Sequence, residues 1–100
     1  MVLTVFRSRL RDAARDEYTK LAPRMSELAR SMLGYRSHKV FVAEDGERVT
    51  LVEFEDEETQ RQWSAQAEHV AAKKRGREAF YAEYCLQVCR VLRESRYKSD

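Results

Sequence analysis

Four stretches of this chain are rich in β-branched and apolar residues, and in three of them both the odd and the even positions carry side chains that avoid water. Neighbouring residues of a strand point to opposite faces of a sheet, so parity sorts them. Val2, Phe6 and Leu10 oppose Leu3 and Val5; Thr50, Val52 and Phe54 oppose Val49 and Leu51; Leu86, Val88 and Leu92 oppose Cys85, Cys89 and Val91. A sheet with one face in water should show clean alternation of apolar and polar residues. Two apolar faces require two covers, and this pattern limits the chain to sheets that something packs against on either side.

Helical segments supply one cover. The run after the first strand (residues 2 to 10) places Ala14, Tyr18, Leu21, Met25, Leu28 and Met32 at alternating steps of four and three, the stripe of an amphipathic helix. Asp12 is the expected cap, Asp16 and Glu17 complement the first turn, and Gly34 is the expected left-handed terminator, which bounds a helix near residues 13 to 33. Pro23 lies inside it, removes a backbone donor and predicts a bend near residues 19 to 23. Residues 35 to 44 and 47 to 55 are two strands joined through Asp45-Gly46, a strong hairpin signal. Asp56 caps a second helical stretch through Trp63, residues 68 to 77 read as helical again with a stop at Gly76, and residues 84 to 92 form the last strand.

The order is βαββαβ, the split βαβ arrangement of the ferredoxin-like α+β fold: a four-stranded antiparallel sheet with helices on one face. One hundred residues hold one domain, expected over residues 1 to 93, with a polar tail over 94 to 100. Helices reach only one face, so a second copy of the chain is the expected cover for the other.

Composition narrows the function more by exclusion than by indication. Nineteen Lys and Arg against 17 Asp and Glu leave a net charge of +2, too little for the basic face that nucleic acid requires. The third strand, Glu47-Arg48-Val49-Thr50-Leu51-Val52-Glu53-Phe54, lacks the basic-Gly-aromatic pattern with which RNA-recognition domains of the same topology stack bases. No apolar run approaches the ~18 residues of a membrane span, and the short first run reads as a strand rather than a targeting signal. A soluble protein is expected. Cys85 and Cys89 would share a strand face about 13 Å apart, beyond the ~7 Å that a disulfide tolerates, so two buried free thiols and a reducing cytoplasm are expected. Glycine-rich phosphate loops, nucleophile elbows and His-Glu-x-x-His zinc motifs are all missing from the sequence.

Few residues remain to carry chemistry. His38 and His69 are the side chains whose ordinary titration lies near neutrality. His69 is the better candidate base, because it follows Trp63 by six residues across a helix break, which lets the two border one cavity. For Trp63, and for the group Phe80, Tyr81 and Tyr84, core packing is the first reading and ligand stacking the second. The basic run Lys73, Lys74, Arg75 and Arg77 reads first as a solvated helix face.

Residues 2 to 93 resemble the antibiotic biosynthesis monooxygenase domain family of dimeric α+β barrel proteins. The resemblance is carried by the Gly34-Tyr35 turn, Glu44-Asp45-Gly46-Glu47-Arg48, the strand end Val52-Glu53-Phe54-Glu55 before an acidic helix start, Trp63 with His69 downstream, and Arg75-Gly76-Arg77-Glu78-Ala79-Phe80-Tyr81. It implies a homodimer whose sheets face one another, and an oxygenase that handles small aromatic or quinol substrates with neither metal nor flavin. In that reading His69 moves the substrate proton, while Trp63, Phe80, Tyr84 and His38 bind the ring. The haem-degrading branch of the family relies on a first-strand Asn, a Trp and a haem-ligating His. Here the corresponding positions are Ser8, Trp63 and the neighbourhood of Lys73, so haem degradation is disfavoured.

Overall fold

The structure is a computed structural model that describes residues 1–100. Its elements are β1 (Val2–Leu10), a 3₁₀ turn (Asp12–Ala14), α1 (Arg15–Ser31), β2 (Tyr35–Val42), β3 (Arg48–Phe54), α2 (Glu57–Ala65), α3 (Ala67–Arg75), a π-helical turn (Gly76–Phe80) and β4 (Tyr81–Arg90). The four strands form one antiparallel sheet in the order β2-β3-β1-β4, the ferredoxin-like arrangement expected from the element order. Residues 91 to 100 have no regular structure, although the Val91 amide donates to the Met1 carbonyl.

Strand register confirms the two apolar faces. Val2, Thr4, Phe6 and Ser8 stand opposite Phe54, Val52, Thr50 and Arg48 on one side and Arg90, Val88, Leu86 and Tyr84 on the other, so these twelve residues share a face. The helices lie over it, and Ala29, Val52, Phe54 and Trp63 form its core, flanked by Leu28, Met32 and Tyr35. Leu3, Val5, Val49, Leu51, Phe41, Cys85 and Cys89 lie on the opposite, open face. Cover of the helical face stops short of β4, which is why Leu86 and Val88 remain 47% and 49% exposed.

Several boundaries differ from the expectations, each for a physical reason. Asp12 makes no capping bond; it lies in the 3₁₀ turn, and α1 begins only at Arg15. The helix includes Pro23 and ends at Ser31. Gly34 does adopt a positive φ of 82°, but in a turn closed by the Tyr35 amide on the Met32 carbonyl. A Cβ there would also lie 2.5 Å from the Thr59 hydroxyl oxygen, so this position needs glycine twice over. The hairpin is longer than a two-residue turn: Gly46 donates to Ala43 O and Ala43 to Glu47 O, with Gly46 alone at positive φ. Gly76 does not stop α3. Its backbone is right-handed helical, and the chain continues through the π turn; glycine is needed because a Cβ would sit 2.5 Å from the Tyr81 ring. The last strand accordingly starts at Tyr81 rather than residue 84, with a bulge opposite Arg9 and Leu10. Both cysteines are free as expected, but Cys85 is exposed and Cys89 half-buried, because β4 is an edge strand and both lie on the open face.

Candidate functional site

The junction of α2 and α3 is built from its caps inward. Asp56 accepts from the Thr59 amide at 2.9 Å while the Thr59 hydroxyl faces the Asp56 amide at 3.4 Å, a reciprocal capping box that sets the direction of α2. Two turns later this direction places Trp63, 7% exposed, against Ala29, Val52 and Phe54. Gln66 then turns extended, and its side-chain oxygen accepts from the His69 amide at 2.8 Å, starting α3 anew. One turn into α3 the His69 ring lies flat on Trp63, with centroids 3.9 Å apart and an interplanar angle of 9°.

That geometry assigns the histidine's protons. His69 Nδ1 is 3.0 Å from the Trp63 carbonyl oxygen, which can only accept, so Nδ1 carries a hydrogen and, in the neutral ring, Nε2 keeps its lone pair. Burial pushes the imidazole below its ordinary value near 6.5; the bond to the Trp63 carbonyl partly offsets this, and Lys73 adds to the lowering. The ring is therefore neutral at pH 7 and able to accept a proton. Lys73, at the place of the haem ligand in the disfavoured branch, is committed elsewhere: its Nζ donates to the Ser64 carbonyl at 2.7 Å and contacts the Ser64 hydroxyl at 3.1 Å. Ser8, the other such position, is buried on the helix-covered face.

The remaining candidates sit apart from this pair. Phe80 is 2% exposed and packs edge-on against Tyr18. Tyr84 is half-exposed beside Phe6 and Tyr81, where it borders a recess of about 250 Å³ with Arg7, Ser8, Glu47, Glu83 and Cys85. Tyr81 lies inside that aromatic group, and burial together with the neighbouring Tyr18 hydroxyl pushes its phenol well above the ordinary range. His38, on β2, faces α1: its Nδ1 is 3.4 Å from the Ser26 hydroxyl, and burial and Arg30 lower its pKa. Trp63 and His69 are thus brought together, Phe80 and Tyr84 each touch one aromatic cluster built on Tyr18, Phe6 and Tyr81, and His38 belongs to a separate cleft. No group of three or more His, Cys, Asp and Glu residues is gathered as a metal ion would need.

That cleft, of about 410 Å³ between α1 and the end of the sheet, brings His38 together with Arg15, Tyr18, Ser26 and Arg48. Arg48 and Tyr18 are absent from the sequence-derived candidates. Parity held the signal, since Arg48 shares its face with Thr50, Val52 and Phe54 and so must point under the helices.

The comparisons agree with this architecture. The family model described as antibiotic biosynthesis monooxygenase matches residues 1–75, three quarters of the chain, and the chain belongs to that family. Among its relatives is YqjZ of Bacillus subtilis (strain 168), an uncharacterized protein, 28% identical over 83 residues that make up 83% of this chain and 73% of the relative. Rv0793 from Mycobacterium tuberculosis superposes with a TM-score of 0.83 at 20% identity, covering 95% of this chain and 98% of that one. SnoaB, a cofactor-independent oxygenase from Streptomyces nogalater, superposes with a TM-score of 0.71 at 21% identity, covering 93% and 97%. No helix of the structure is long and apolar enough to cross a membrane.

Proposed function

We propose that the protein is a cofactor-independent monooxygenase of a small aromatic or quinol metabolite, with His69 as the proton acceptor. The observation that carries this reading is the fixed tautomer of His69: its Nδ1 hydrogen is spent on the Trp63 carbonyl, leaving a neutral Nε2 as a base. Family membership supplies the reaction class. Removing a proton from a phenol or an activated ring CH₂ makes an electron-rich anion that can give an electron to O₂. For an anthrone-type substrate, one oxygen atom ends as a new carbonyl and the other leaves as water with the two ring hydrogens, so the substrate itself supplies the electrons. Trp63, on which His69 is stacked, is the proposed ring-binding residue beside this base; Phe80, Tyr84 and His38, which the resemblance also implies as ring-binding, lie in other parts of the structure and are not assigned to this site.

The reading includes a homodimer joined through the open sheet face, since Leu3, Val5, Val49 and Leu51 lie there with no cover from the chain's own helices. It also includes a cytoplasmic setting, which free thiols at Cys85 and Cys89 suit. Oxygen uptake measured against a panel of hydroquinones and anthrones tests the reaction. Turnover is expected with at least one of them, and His69→Ala should lower kcat by about 10²–10⁴. Absence of uptake across the panel would overturn the oxygenase reading in favour of a non-catalytic ligand-binding or assembly role on the same fold.

A further inference from the structure

The cleft between α1 and the sheet has a composition that the proposed oxygenase site leaves unused. Its lining includes Arg15 and Arg48 and no carboxylate. Several arginines on the sheet and helices are closely paired: Arg7 with Glu47, Arg9 with Asp45 and Glu83, Arg24 with Glu68, Arg61 with Glu57 and Arg75 with Glu17. Arg48 is different. Its Nε is buried without a hydrogen-bond partner, and its guanidinium carbon lies 5.2 Å from the centre of the Tyr18 ring. A buried N–H left unpaired is costly, so a partner is expected. Arg15 has only Asp12 within reach, at 3.7 Å, with both side chains largely exposed.

The missing partner can be described chemically. A guanidinium presents parallel N–H groups that fit the two oxygens of a carboxylate. Next to it are a phenol ring and an apolar floor of Leu10, Ala22 and Pro23, with the Ser26 hydroxyl and His38 at the side. The volume of about 410 Å³ falls within the range of small-ligand cavities. We propose that this cleft is a binding site for a small aromatic carboxylate, whose anionic group pairs with Arg48 and Arg15 and whose ring lies against the Tyr18, Leu10 and Pro23 surface. The site contains none of Trp63, His69, Phe80 and Tyr84, so it stands or falls independently of the oxygenase reading.

Calorimetry and amide chemical-shift mapping of the whole chain with benzoate test this, alongside its neutral isostere benzamide and the ringless acetate. One benzoate per chain is expected, with shifts at Tyr18, Ser26, His38 and Arg48 and none at Trp63 or His69. Benzamide and acetate should each bind at least about tenfold more weakly, and Arg48→Met should weaken benzoate by a similar factor. Should Arg48→Met fail to fold, as circular dichroism would report, exposed Arg15→Gln is expected to weaken benzoate several-fold in a folded protein. No heat and no shifts at millimolar benzoate would overturn the proposal, as would benzamide binding equal to benzoate or shifts centred on Trp63 and His69. Equal binding of acetate would overturn the aromatic part.

Discussion

Helices α2 and α3 are neighbours of equal length, nine residues each, yet they are attached to the protein by different physics. α2 buries Thr59, Gln60 and Trp63, and its Trp is part of the core. α3 buries nothing. It is held to α1 by two forked ion pairs, Arg24 to Glu68 at 3.0 and 2.9 Å and Arg75 to Glu17 at 2.7 and 2.7 Å, and to α2 through His69 and Lys73. Burial is insensitive to salt, whereas exposed ion pairs are screened and contribute little each. The comparison teaches that the candidate base is carried by an element joined at points, while the ring it lies on is carried by one that is part of the core.

The difference is best broken at its strongest member. Trp63→Ala removes the largest side chain of the core and the surface beneath His69, and is expected to cost about 3–5 kcal/mol in urea unfolding followed by circular dichroism. Acid should act on α3 in two stages. His69 has a folded-state pKa below its ordinary 6.5, so its contribution is complete above that pH and is lost as pH falls through the depressed value. Glu17 and Glu68 are held below their ordinary 4.5 by the bonds from Arg75 and Arg24, so the contribution of those pairs is complete above 4.5 and lost in more acidic solution. Hydrogen exchange of α3 amides, corrected for intrinsic rates, should rise below pH 6.5 and again below 4.5, with α2 lagging. The smallest effect sharpens the contrast further: Arg24→Gln with Arg75→Gln should raise α3 exchange several-fold, remove the lower acid stage and leave α2 unchanged. In the unsubstituted protein about 0.5 M NaCl should reproduce part of that rise by screening. Equal responses of the two helices would remove the distinction.

Much of this contrast is legible in residue patterns. Asp56 before Glu57 and Glu58 announces α2, the α1 stripe from Ala14 to Met32 is part-buried or buried throughout, and strand parity gives both faces of the sheet. What the patterns miss are close approaches between distant segments. Gly76 resembles a helix terminator, and nothing local says that the Tyr81 ring needs the space of its absent side chain. Asp12 resembles a cap, but a 3₁₀ turn intervenes before α1. Cys85 resembles a core residue until strand order puts β4 at the edge. At the candidate site, Trp63 and His69 are suggested by spacing across a helix break, whereas the stacked rings and the chosen tautomer depend on the turn at Gln66. The Arg48 cleft escapes notice because a charged residue in a strand is ordinarily assigned to the wet side.

The tight fit of Gly34 under Thr59 ties two loops into a clasp. The threonine that closes the first turn of α2 is also the wall of the bend leaving α1, so these two positions are not free to drift separately. A side chain added at 34 would have to displace the threonine and open the capping box, and a smaller residue at 59 would make room only by giving up its hydroxyl or methyl contacts. Through this one meeting point, the angle at which Trp63 enters the core is set partly by a residue twenty-nine positions earlier in the chain.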